Sequence, residues 1–163
     1  MRGGQSMLIR GGTLVIGMLL AATALAPAAH AATGRAVTGP VVGSAPFDFA
    51  ACSFVHQIYD GAISTPSGQV ATLDVDLCVD IKGDICTAKG TFAVKEGGGK
   101  VRGGASGTLD CLTPKKRIAF DFTLHVHHAT PGLADVGEDL HFRGVWHSDQ
   151  VSGGPFKGKV SLT

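Results

Sequence analysis

Residues 69–80 read QVATLDVDLCVD, and their strict alternation decides the fold class. Ala71, Leu73, Val75, Leu77 and Val79 fall on one face, while Thr72, Asp74, Asp76, Cys78 and Asp80 fall on the other. Successive side chains leave a strand on opposite sides, so a period of two describes a strand with one buried and one solvated face.

The same pattern recurs downstream. Over Arg117 to His128 it sends Ile118, Phe120, Phe122, Leu124 and Val126 inward and Asp121, Thr123, His125 and His127 outward, leaving His128 to point the other way. Glu138 to Trp146 separates Leu140, Phe142 and Trp146 from Asp139, His141 and Arg143. A terminal run alternates Phe156, Val160 and Leu162 with Lys157, Lys159 and Ser161. Weaker runs occupy Ala50 to Tyr59, Ile85 to Lys95 and Val101 to Leu112.

The connections Asp80 to Asp84, Glu96 to Lys100 and Thr113 to Lys116 carry the Gly, Pro and Asp chemistry of hairpin turns. Consecutive strands are therefore expected to lie antiparallel and adjacent. The expected fold is all-β, an antiparallel up-and-down meander of about 7–8 strands closing into a small β-barrel, with a two-sheet β-sandwich as the alternative. Barrel closure is preferred because hairpins need no long crossover, and glycines inside strands supply the bends that closure needs.

Upstream of these runs the chain changes character. Residues 1–31 place Arg2 and Arg10 before an apolar stretch from Leu14 to Ala26, followed by Pro27 and the small-x-small run Ala29, His30, Ala31. This is the pattern of a secretory signal peptide. Its apolar core is well short of the ~20 residues a membrane-crossing helix needs. The expectation is a secreted, extracellular protein cleaved near Ala31, with no membrane association afterwards. Residues 32–46, rich in Gly, Ala, Thr and Pro, read as a flexible N-terminal lead-in, and residues 47–163 as a single all-β domain.

Composition excludes several classes. The whole chain of 163 residues carries 14 Lys+Arg against 13 Asp+Glu, and removing Arg2 and Arg10 shifts the net charge from +1 to −1. Such a balance offers no case for a nucleic-acid partner. A hydrophobic fraction of 44% is too high for a disordered chain.

All four cysteines lie in the exported part, where an even count reads as two disulfides. Alternation places Cys52 on the face of Phe54 and Ile58, and Cys111 on the face of Leu109, both inward. Cys78 and Cys86 flank one turn. The expected pairs are Cys78 with Cys86 and Cys52 with Cys111.

The histidines supply the candidate chemistry. Of seven, His30 belongs to the signal, and five of the other six lie between His125 and His147, in and just beyond one hairpin. His125 and His127, two apart on a strand, share a face with Cβ atoms roughly 7 Å apart, a spacing that can offer two imidazoles to one metal. On the following strand His141 and His147 fall on the matching polar face, and Asp121 could support them as a further ligand or acceptor. Zinc or copper is the divalent metal such a set would take. Against this stands the ordinary solvated face of an antiparallel sheet, which also carries such residues.

Other motifs fail on their context. Asp74, Asp76, Asp80 and Asp84 lack a calcium-binding loop, Gly97 to Val101 lacks the Ser or Thr and the helix of a phosphate loop, and Ser106 lacks a nucleophile elbow. The reading is a secreted ligand-binding or interaction module, non-enzymatic, whose partner is an unknown small molecule or extracellular molecule. The alternative is a small enzyme or metal-binding protein using His125, His127 and His141. An exposed apolar patch at Tyr59 or Trp146 would instead indicate a docking surface.

Overall fold

The computed structural model describes residues 37–49, 52, 55–82, 85–110, 117–147 and 153–163. The expected signal peptide, the first part of the lead-in and Cys111 lie outside the described residues.

Nine strands are formed: β1 (Gly39–Ser44), β2 (Phe47–Asp48), β3 (Val55–Ser64), β4 (Val70–Lys82), β5 (Ile85–Glu96), β6 (Gly99–Leu109), β7 (Ile118–Ala129), β8 (Asp139–Trp146) and β9 (Pro155–Leu162). From β3 to β9 each strand pairs antiparallel with the next. The ring closes because β1 pairs with β9 on one side and with β3 on the other. The result is a closed eight-stranded antiparallel β-barrel with β2 as an extra strand beside the start of β3. It is the barrel, not the sandwich.

Residues 39–46 correct the sequence reading: they are no lead-in but the closing strand and its corner. Val37, Val41 and Ala45 are buried at alternate positions, with Gly39 and Gly43 between them. Small residues there conceal the strand signal, and their size has a cause. A Cβ on Gly43 would stand 2.7 Å from the ring of Phe156, and one on Gly61 of β3 would stand 2.8 Å from it. The Phe156 ring thus covers both backbones where the barrel closes.

A second correction concerns β3. Gln57, Tyr59 and Ile63 are its fully buried side chains, so the odd positions face inward and not the set containing Ile58. Gln57 is buried without strain because its Nε2 donates to the carbonyls of Ala45 and Pro46, at 3.0 and 2.9 Å. These bonds pin the corner between β1 and β2, where Pro46 has no N–H to contribute.

Inside, Tyr59 meets Phe120, Phe122, Phe142 and Phe156 at ring-centroid distances of 4.8, 5.5, 5.8 and 5.4 Å. Glycines face these rings: Cβ atoms on Gly107 and Gly144 would come within 2.9 Å of Phe122 and 2.6 Å of Phe120. Large rings opposite absent side chains fill an interior that eight strands leave just wide enough for side chains. The Tyr59 hydroxyl is buried with no hydrogen-bond partner among the described residues, and burial pushes its pKa up. The middle of the barrel is therefore core.

The cysteine pairing is the third correction. Cys52 is joined to Cys78, with Cα atoms 5.5 Å apart, in place of the expected Cys52–Cys111 and Cys78–Cys86 pairs. The alternation of β4 and β5 explains it: Cys78 is exposed on the outside, whereas Cys86 is buried inside opposite Ile81. Two sulfurs on opposite faces of one sheet cannot meet. Cys86 is itself disulfide-bonded.

Candidate functional site

With the centre of the barrel filled, open space remains at its ends and on its outer face. At the end where β4 turns into β5 and β6 leads into β7, strand termini from seven strands form an apolar cup of about 200 Å3. Val55 and Gln57 of β3, Val79 and Ile81 of β4, Cys86 of β5 and Leu109 of β6 line one side. Ile118 of β7, Trp146 of β8 and Phe47 of β2 complete it. Register builds the ring: Val55 is opposite Val79, Ile81 opposite Cys86, Cys86 opposite Leu109, and Ile118 opposite Trp146.

The cup has an aromatic entrance. Phe47 stacks edge-on against Trp146 at 5.9 Å and against Phe49 at 5.9 Å, and Phe49 is 69% exposed. Trp146 is only 5% exposed, and Tyr59 is fully buried, so neither forms the exposed patch considered from sequence. Trp146 Nε1 has no hydrogen-bond partner among the described residues. The cup is thus nearly all apolar: Gln57 is the polar residue of its lining, and its amide nitrogen is committed to the carbonyls of Ala45 and Pro46.

The predicted histidine set is distributed over the outer face of β7 and β8. His125 Nδ1 donates to Asp139 Oδ1 at 2.6 Å, and the His125 and His127 rings lie edge-on at 5.2 Å. His141 belongs to another group: Arg143 Nη2 donates to its Nδ1 at 3.2 Å, while Asp121 sits 3.6 Å from the same nitrogen. Arg143 Nε also binds Asp121, at 2.9 Å. His147 lies exposed beyond the end of β8. Among the described residues no three His, Cys, Asp or Glu side chains come close enough to hold a metal ion. Asp121 is engaged by Arg143, which lowers its availability as a ligand.

A histidine not singled out from sequence is the more constrained one. His56, 14% exposed at its side chain, places Nε2 2.7 Å from Asp76 Oδ1 and Nδ1 3.3 Å from Asp48 Oδ2. It thereby ties β2, β3 and β4 together beside the cup. The Asp76 hydrogen bond first, and the Asp48 bond second, hold its pKa above the ordinary value of 6.5. Only the imidazolium can donate to both carboxylates at once.

A folded-state pKa above the unfolded one means the clasp contributes fully below about 6.5 and fades as pH rises through the raised value. The wild type should therefore lose stability between about pH 5.5 and pH 8.5 relative to His56→Gln, as read from urea midpoints. Equal pH dependence in both proteins would show that the clasp carries no linked proton.

No protein-family model, no curated protein and no solved structure matches the chain.

Proposed function

We propose that this protein is an exported, non-enzymatic β-barrel that takes a small, flat, mainly apolar molecule into the cup at its mouth. The observation that carries the reading is the cup itself: apolar side chains from seven strands around about 200 Å3, with an aromatic entrance and the Gln57 side chain in its wall. Ligand sites of this kind are concave, largely preformed and apolar, with few polar groups to orient the guest, and barrel mouths are among their common places. The volume suits one or two fused rings, since an apolar cavity of about 150 Å3 already accepts benzene.

Export is supported by the signal-like residues 1–31 and by the Cys52–Cys78 disulfide, a bond that persists in oxidising compartments. No helix among the described residues is long and apolar enough to cross a membrane.

Trp146 makes the test direct, because it lines the cup and is the single tryptophan of the chain. Titration with naphthalene-class probes such as 1-naphthol should give a saturable change in Trp146 emission. Val55→Phe, at a half-buried position on the cup wall, should fill the space and weaken binding by about tenfold, equivalent to ~1.4 kcal/mol. Far-ultraviolet circular dichroism establishes that the variant is folded. An unsaturable response, or equal affinity in folded Val55→Phe, would remove the cup as the site.

A further inference from the structure

A second open space lies on the outside of the barrel, across β4, β5, β6 and β7, as a groove of about 410 Å3. Asp74 and Asp76 of β4 form one wall, Thr91 and Ala93 of β5 the floor, and Lys100 and Arg102 of β6 the other wall. His127 and His128 of β7 extend that second wall.

Pairing register sets this arrangement. Asp74, Ala93, Arg102 and His128 stand in one row across four strands, and Asp76, Thr91 and Gly104 stand in the next. The floor is low because its side chains are small. The far wall owes its shape to an irregularity: the β6–β7 register slips between Arg102 and Gly103, so that Gly103 faces Val126 while Arg102 faces His128. His127 is the unopposed residue, and both His127 and His128 are exposed, which corrects the expectation that His128 points away from its neighbour. Gly103 is what admits the bulge, since a Cβ there would stand 1.8 Å from the His125 carbonyl oxygen. Bulges re-aim side chains in this way and recur beside functional sites.

The charges across the groove are opposite and do not meet. Asp76 is engaged by His56, but among the described residues the Asp74, Lys100, Arg102 and His128 side chains have no hydrogen bond or ion pair. An acidic wall and a cationic wall separated by a floor of small residues match a ligand with a positive end and a negative end.

We propose that this groove binds a zwitterion with its ammonium and carboxylate at opposite ends of a short chain. The ammonium is held by Asp74, and the carboxylate by Arg102 with Lys100 and His128 beside it. Strand spacing gives its length. Asp74 and Arg102 are two strands apart, roughly 9.5 Å, and His128 is one strand farther, at roughly 14 Å. With the side chains standing roughly perpendicular to the sheet, so that the charged groups keep about the spacing of their strands, and about 2.8 Å for a charge-assisted hydrogen bond at each end, roughly 4 to 9 Å is left between the ligand's charged groups. γ-Aminobutyrate and ε-aminocaproate span that range, whereas glycine is too short.

Calorimetric titration of the full exported chain with ε-aminocaproate and γ-aminobutyrate tests the proposal, with glycine, caproate and n-hexylamine as controls at equal ionic strength. The ω-amino acids should bind at least about tenfold more tightly than glycine or either single-charge analogue. Asp74→Asn and Arg102→Gln, both at exposed positions, should each lower affinity by about tenfold. Caproate binding as tightly would make the groove an anion site only, and n-hexylamine binding as tightly would make it a cation site only. Either result, no binding at all, or full affinity in Asp74→Asn overturns the proposal.

Discussion

Replacing Phe142 by alanine is expected to lower the unfolding free energy by about 3–5 kcal/mol, a large part of the ~5–15 kcal/mol a single domain holds. Phe142 is fully buried, and its ring lies 4.8 Å from Phe120, 5.7 Å from Phe156, 5.8 Å from Tyr59 and 6.2 Å from Phe122. Each edge-on or tilted pair adds to the area term because ring edges meet ring faces. The upper part of the range applies because the site cannot collapse. Its neighbours sit on strands of a closed ring, and Gly158, where a Cβ would stand 3.1 Å from the Phe142 ring, has no side chain to move into the space. Urea unfolding at unchanged m-value gives the number directly. Phe142→Leu, which keeps most of the volume, should cost less than about half as much. A loss below about 1 kcal/mol for the alanine variant would mean that the ring is not part of a close-packed interior.

The interior also shows why sequence was informative for some strands and silent for others. β4 and β7 alternate large apolar residues with charged ones, so their inward faces could be read before closure. β1 also alternates, but its inward residues include Gly39 and Gly43, and their smallness makes sense only once the Ser64 backbone is known to press on the first and the Phe156 ring to lie across the second. In β3 apolar residues occur at both parities, Ile58 on one and Tyr59 and Ile63 on the other, so hydrophobicity alone could not choose a face. That choice misplaced Cys52 and, with it, the disulfides.

The candidate sites follow the same division. The residues of the cup lie at the ends of seven strands, far apart in the chain, and no local motif announces them. His125 with His127 was legible because strand geometry alone fixes their common face. His128 was not, because a bulge centred on Gly103 sets its direction, and a bulge is visible only in the pairing register. His56 was missed for a related reason: its partners Asp48 and Asp76 lie on two different strands, which only the register brings to either side of it.

Removing the Cys52–Cys78 bond, as Cys52→Ser with Cys78→Ser, is the second large effect expected. The bridged cysteines are 26 residues apart, and closing such a loop constrains the unfolded chain by about 3.5 kcal/mol in the chain-entropy treatment. The bond fastens the segment entering β3 to the outer face of β4, and Cys78 stands opposite His56 in the β3–β4 register. The disulfide and the imidazolium clasp therefore secure the same edge, and their losses should not add. In the double-serine protein the stability difference between about pH 5.5 and pH 8.5 should shrink, because an entry to β3 no longer tethered holds His56 less firmly between Asp48 and Asp76. Peptide mapping under non-reducing conditions should first link Cys52 to Cys78. A stability loss near zero, or a pH dependence identical to that of the bridged protein, would show that the edge is held by its strand pairing alone.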